Sequence, residues 1–114
     1  MHEMSLAGGI LKLVEDAAAR EHFRRVSRLT LEAGALAGVE VSALRFALET
    51  MVPGTVLAGA AIDIDEPDGT AWCMPCGESV AIRSRTDPCP RCGSWQLTPT
   101  AGTELKVREL IVHD

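Results

Sequence analysis

The chain has 114 residues, of which 46% are hydrophobic, so one domain with a modest core is expected. Its 11 Lys and Arg residues against 16 Asp and Glu residues give a net charge of −5, which argues against nucleic-acid binding, because that needs clustered positive charge. The longest apolar stretch, residues 56–62, is about a third of a membrane span, and the acidic N terminus does not fit a signal peptide. The composition therefore predicts a cytoplasmic protein that does not enter a membrane.

The N-terminal fifth of the chain has the pattern of an amphipathic helix. Apolar residues recur at helical spacing from Leu6 to Ala17, with charged residues mostly between them. The pattern predicts a helix over residues 5–21, with Ser5 as its N-cap. Residues 1–4 are expected to precede it as an exposed or strand-like segment.

The middle and the end of the chain have the patterns of three strands and a second helix. Alternating apolar residues over 26–34 predict a half-buried strand, and Ser42 is expected to cap a second helix over 42–52. Alternation over 62–65 predicts a second strand, and 105–112 a last strand that returns to pair with the first two.

A cysteine-rich segment interrupts these elements. The stretch from Trp72 to Trp95 has four Cys, three Pro and few aliphatic residues, so it needs a staple other than a core, and the two tryptophans are expected to cover it. A loop over residues 98–103 is predicted to follow. The expected fold is α+β: a small, three-stranded, mostly antiparallel sheet with two helices in a body of residues 1–66 and 103–114, plus an inserted zinc-ribbon-like lobe of residues 67–102.

Paired cysteines are the strongest chemical signal of the chain. Two C-x-x-C-G motifs, with 12 residues between them, bring four thiolates within reach of one ion, and this is the tetrahedral set that Zn²⁺ prefers. In a reducing compartment such cysteines are metal ligands rather than disulfides. Because four thiolates leave no position for water, the zinc is predicted to be structural, and no catalytic centre is expected. The ligands are Cys73, Cys76, Cys89 and Cys92.

The cysteine pattern leaves two other functions open. A rubredoxin-like iron site uses the same spacing, so a small electron carrier is one alternative. A zinc-ribbon adaptor that binds only protein partners is the other.

The first three residues offer a second donor set. Methionine removal needs a small second residue, so Met1 is expected to stay before His2 and keep a free α-amine. This amine, the backbone amide nitrogen of His2 and its imidazole can close small chelate rings around one ion, with the Glu3 amide or another donor at the fourth corner. Such nitrogen sets suit Ni(II) and Cu(II).

The start Met1-His2-Glu3, an α/β body and a double C-x-x-C lobe in one short chain together resemble the HypA/HybF family. These are nickel-insertion accessory proteins for the maturation of nickel–iron hydrogenases. The resemblance spans essentially the full chain and implies a nickel metallochaperone, which is not an enzyme.

The resemblance also implies the roles of individual residues and the partners. His2 would ligate a transferable Ni(II) with the Met1 amine and nearby amides, Glu3 would contribute to the nickel site, and the four cysteines would hold structural Zn(II). Glu40 lies where some relatives bring in a carboxylate, which makes it a weaker candidate. The implied partners are a nickel-loading GTPase and the hydrogenase large-subunit precursor.

Overall fold

The computed structural model describes residues 2–114 and confirms the α+β class. Within this part of the chain, six strands form two three-stranded sheets, ordered β2-β1-β6 and β4-β3-β5. The elements are α1 (His2–Glu21), β1 (Arg25–Ala33), α2 (Val41–Met51), β2 (Ala61–Asp65), β3 (Gly69–Cys73), β4 (Glu78–Ile82), β5 (Leu97–Ala101) and β6 (Leu105–His113).

The chain divides into two compact units. The first contains the chain up to residue 31 together with residues 39–64 and 107–114, and the second contains residues 32–38 and 65–106. Among the described residues, neither helix is long and apolar enough to cross a membrane.

In the first unit, the two helices contact each other, and one face of each helix and several residues of β1 are buried. On α1 the buried side chains recur at intervals of three or four residues, as a helix packed on one side requires. Ile10, Val14 and Ala17 of the predicted apolar stripe lie on this buried face, whereas Leu13, which was also placed in the stripe, is 52% exposed. The core residues of the two helices are Ala7, Ile10, Val14, Ala17, Ala18, Leu44, Ala47 and Leu48.

The first helix begins earlier than predicted. It starts at His2, so the prediction that residues 2–4 precede a helix capped by Ser5 is wrong, although His2 and Met4 are exposed as expected. Glu3 lies in the first turn, where a negative charge interacts favourably with the helix dipole. The apolar pattern missed this turn because burial begins only at Leu6 and Ala7, and a pattern of buried positions cannot detect an exposed turn.

The last strand lies beside β1, which makes β1 the centre of the sheet and leaves β2 and β6 at its edges. The backbone N–H of Arg24 donates to the carbonyl of His113 over 3.0 Å, and the Ser27 hydroxyl donates to the carbonyl of Ile111 over 3.3 Å. Because the numbers rise on one strand while they fall on the other, β6 runs antiparallel to β1.

The second unit has a small core of its own, contrary to the expectation that its cysteine segment lacks one. Strand β3 pairs antiparallel with both β4 and β5, and one face of this sheet is buried. The predicted loop after the lobe is instead strand β5 up to Ala101, where Pro99 pairs with Ala71 next to a register shift. The buried residues are Leu36, Ala71, Cys73, Val80, Ile82 and Cys89.

The two tryptophans do not cover this core, so that prediction is also wrong. Trp72 is 40% exposed and Trp95 is 69% exposed. Trp72 lies between Ala71 and Cys73, which face the core, and alternation along the strand therefore turns its side chain outward.

Two backbone segments of the second unit touch at glycines. Gly102 has φ +74°, and a Cβ atom at this position would lie 2.7 Å from the Cα of Gly69 and 2.8 Å from the carbonyl oxygen of Asp68. The Gly102 carbonyl also accepts the N–H of Leu36 over 2.8 Å. No other residue type fits this contact without displacing backbone.

We expect Gly102→Ala to destabilise the protein more than Gly38→Ala. Both glycines have positive φ, which costs alanine about 1–2 kcal/mol, but a Cβ at Gly38 meets nothing within 4 Å. Crowding at Gly102 adds about 1–3 kcal/mol to the loss. Denaturant unfolding of the zinc-loaded variants measures the difference in the free energy of unfolding. Equal losses of stability in the two variants would contradict the close backbone contact at Gly102.

Candidate metal centres

Four cysteines converge at one end of the β4-β3-β5 sheet. Cys73 ends β3, Cys76 lies in the turn before β4, and Cys89 and Cys92 lie between β4 and β5. Each C-x-x-C turn closes through a glycine of positive φ. The N–H of Gly77 (φ +64°) donates to the carbonyl of Cys73 over 2.8 Å, and the N–H of Gly93 (φ +77°) donates to that of Cys89 over 2.8 Å.

The sulfur atoms fit a four-thiolate metal site. All four lie within 4.8 Å of one another, with 3.6 Å between the sulfurs of Cys73 and Cys92 and 3.9 Å between those of Cys76 and Cys89. Zn–S bonds of about 2.3 Å in a tetrahedron place sulfurs about 3.8 Å apart. A disulfide needs about 2.05 Å, and the four thiols are free. The chain therefore has a four-cysteine metal-binding cluster.

The electrostatics of the cluster favour a bound cation. Burial raises the pKa of Cys73, and the adjacent Cys92 sulfur raises the pKa of Cys76 to about 12. At Cys89 burial also opposes ionisation, but backbone N–H groups of Cys92 and Arg91 lower the pKa to about 7. Four thiolates at this spacing repel one another, so a metal must displace protons when it binds.

We expect Cys76→Ser to abolish stoichiometric zinc binding and to unfold the second unit. Both tryptophans of the chain, Trp72 and Trp95, lie in this unit, so intrinsic fluorescence reports on it selectively. The zinc content measured by elemental analysis is expected to fall from about one zinc per chain to near zero. Met74→Ala is the matched control, because Met74 lies between the first two cysteines with an exposed side chain. Full zinc content in Cys76→Ser would contradict the four-thiolate assignment.

A second group of candidate ligands lies in the first unit. Met1, whose α-amine is a predicted donor, lies outside the described residues. His2 is exposed at the start of α1, and the next residue, Glu3, accepts the backbone N–H of Glu40 through its Oε2 atom over 3.1 Å. The structure therefore brings Glu3 and Glu40 together beside His2, although they are 37 residues apart in sequence.

Glu40, and not Ser42 as predicted, is the N-cap of α2. Its backbone is extended (φ −82°, ψ 101°), and its Oε1 atom accepts the N–H of Ser42 over 3.0 Å. Serine is the commoner cap, so residue preference alone pointed to the wrong position. Ser42 instead holds the Glu40 side chain in place, a role that only the three-dimensional contact reveals.

Both carboxyl groups are easily ionised. The backbone N–H of Glu40 lowers the pKa of Glu3, and the Ser42 side chain lowers the pKa of Glu40. The ionised Glu3 and Glu40 side chains therefore add negative charge where the start of α1 meets the start of α2.

Comparison with known proteins identifies the family. The family model for "Hydrogenase/urease nickel incorporation, metallochaperone, hypA" matches residues 1–112. The chain belongs to this family. It is 60% identical over 114 residues to the hydrogenase maturation factor HypA of Cupriavidus necator, covering 100% of this chain and 96% of the relative. It is also 60% identical over 114 residues to that of Polaromonas naphthalenivorans, covering 100% and 99%.

Solved structures show the same fold. The solution structure of the Ni metallochaperone HypA from Helicobacter pylori matches with a TM-score of 0.69 and 21% identity, covering 97% of each chain. Another solution structure of HypA protein matches with a TM-score of 0.68 and 22% identity, covering 98% of this chain and 96% of the other. The family consists of metallochaperones and maturation factors rather than catalytic enzymes.

Proposed function

We propose that this protein is a cytoplasmic nickel metallochaperone, which binds Ni(II) at its N terminus and delivers it for the maturation of a nickel–iron hydrogenase. The observation that carries the proposal is the match of residues 1–112 to the nickel-incorporation family. The exposed His2 beside the Glu3–Glu40 contact supports it, because it gives an accessible donor set at the expected end of the chain.

The proposed nickel ligands are the Met1 α-amine, the amide nitrogen and imidazole of His2, and a donor from Glu3, with Glu40 as a weaker candidate. The first four N–H groups of a helix have no acceptor within the helix. Amide ligation by His2 or Glu3 in the first turn of α1 therefore breaks no helical hydrogen bond. Because the amine and the amide must lose protons, nickel affinity is expected to rise with pH.

The exposure of the proposed nickel site would allow the ion to pass to a partner protein. His2 is exposed, so a partner can approach the ion without unfolding the core. The proposed partners are a GTPase that helps to load nickel and the hydrogenase large-subunit precursor, which receives the nickel. The chain supplies ligands and docking surfaces, and no chemical step needs a catalytic residue.

Zn(II) in the Cys73, Cys76, Cys89 and Cys92 cluster is proposed to be structural. The sulfur spacing suits four-coordinate zinc and leaves no position for substrate. In functional terms we propose a nickel-binding body of residues 1–66 and 103–114 and a zinc-binding lobe of residues 67–102.

We expect His2→Ala to lose nickel binding, because it removes the imidazole while alanine preserves the helix. Calorimetric titration of Ni(II) into tag-free, zinc-loaded protein should show about one site, weakened more than about 100-fold by the substitution. His22→Asn is the matched control: His22 is exposed just after the other end of α1, and asparagine tolerates its positive φ of 63°. Unchanged binding in His2→Ala would favour a zinc-ribbon adaptor instead.

An uncleaved N-terminal extension is expected to weaken nickel binding strongly, because it converts the α-amine into an amide. A C-terminal extension without metal-binding residues leaves the amine intact and serves as the control. The same calorimetric titration compares the two proteins. Equal nickel affinities of the two proteins would refute ligation by the α-amine. Ligation by the imidazole is tested separately by His2→Ala.

A further inference from the structure

The carboxylate of Glu40 is restrained by Ser42 at the start of α2. Its Oε1 atom accepts both the backbone N–H of Ser42 over 3.0 Å and the Ser42 hydroxyl over 2.5 Å. The backbone N–H of Ala43 adds a weaker attraction. An ionised carboxylate has about four lone-pair sites, so these three donors leave room for a cation.

The hydroxyl bond goes beyond what helix capping requires. A cap satisfies backbone N–H groups of the first turn, and the Ser42 N–H alone meets this need at Glu40. The Ser42 hydroxyl satisfies no backbone group, and it donates to the carboxylate instead. Both side chains are exposed, and a glutamate side chain has several rotatable bonds, so this second hydrogen bond narrows the positions that the carboxylate samples.

The backbone of Glu40 is tied to the start of α1. Its N–H donates to the Oε2 atom of Glu3 over 3.1 Å, and Glu3 directly follows His2 in the chain. This contact fixes the main chain from which the Glu40 side chain extends, while Ser42 fixes the end of that side chain. The carboxylate therefore has a defined position where α1 and α2 begin, close to the predicted nickel donors.

We propose that Ser42 is a positioning residue for nickel binding: its hydroxyl holds the Glu40 carboxylate in place as a ligand of the Ni(II) ion bound by Met1 and His2. The inference rests on the proposed function and assigns Ser42 a part in it. Ser42 does not touch the ion, because its hydroxyl hydrogen is directed at Oε1 of Glu40. Hydrogen bonds to ligating carboxylates orient them in this way at many metal sites.

The contribution of Ser42 is preorganisation. When the hydroxyl is absent, the Glu40 carboxylate keeps the N–H of Ser42 but samples more positions, and nickel must then order it on binding. The hydrogen bond lies at the surface, where water competes for both partners, so its effect on nickel affinity is modest. We expect a loss of about three- to tenfold.

Calorimetric titration of Ni(II) into tag-free, zinc-loaded full chain tests the inference. Ser42→Ala is expected to weaken nickel binding about three- to tenfold, whereas Ser42→Thr keeps a hydroxyl and should retain the affinity. Thr50→Ala is the matched control, because it removes an exposed hydroxyl from the other end of α2, where it donates to the carbonyl of Phe46. Full affinity in Ser42→Ala, or an equal loss in Ser42→Thr or Thr50→Ala, would overturn the inference.

A double-mutant cycle with Glu40 separates positioning from a general effect on α2. Glu40→Gln keeps a capping oxygen but removes the charge, so it should weaken nickel binding more than Ser42→Ala does. Adding Ser42→Ala to Glu40→Gln should then cost no further affinity, because Ser42 acts only through the carboxylate. Additive losses would overturn the inference, since they would mean that Ser42 acts by stabilising the helix. Circular dichroism of each variant checks that α2 is retained.

The same titrations distinguish a failure of this inference from a failure of the proposed function. If the unsubstituted chain binds no nickel, or His2→Ala binds it equally well, the proposed function and the role of Ser42 both fail. If His2→Ala abolishes binding while Ser42→Ala and Glu40→Gln leave the affinity unchanged, the proposed function stands and the role of Ser42 alone is overturned.

Discussion

The crowding of four cysteine sulfurs within 4.8 Å is the constraint on which the second unit depends. Two of these cysteines, Cys73 and Cys89, belong to the same buried cluster as Ala71, Val80 and Ile82, so the metal-binding cluster and the small apolar core are one structure. The short aliphatic side chains bury little surface, and four thiolates repel one another without a cation. A bound metal turns this repulsion into attraction and completes a core that the apolar residues alone leave small.

The first unit is organised differently, because its helices and β1 already supply an apolar core. Its candidate metal ligands lie at the surface, where the Glu40 N–H and the Glu3 carboxylate join the N-terminal ends of two helices. In the proposed function this contrast has a chemical meaning. A closed set of sulfur ligands retains its ion, whereas exposed nitrogen and oxygen ligands release theirs to a partner.

Several elements were predictable because their burial follows a simple period. Ile10, Val14 and Ala17 of the predicted stripe and the alternation from Leu29 to Ala33 along β1 both mark buried faces, whereas Leu13 is exposed. The errors lie where burial gives no signal. The first turn of α1 is exposed, and β5 has the sequence Leu-Thr-Pro-Thr-Ala, which lacks a clear alternation and contains a proline. Trp72 was misplaced because its size suggested burial, whereas its position in β3 decides its orientation.

The sequence by itself determined the four-cysteine cluster and the character of the N terminus. A two-residue gap between cysteines is a local constraint, since both sulfurs of one turn must point the same way whatever surrounds them. Likewise, an amine and an imidazole one residue apart need no tertiary contact to share an ion. Only the tertiary structure decided that Glu40 meets Glu3 across 37 residues of chain and that β6 forms an edge of the sheet. These features depend on how distant segments pack, and residue spacing along one chain does not encode the distance between segments.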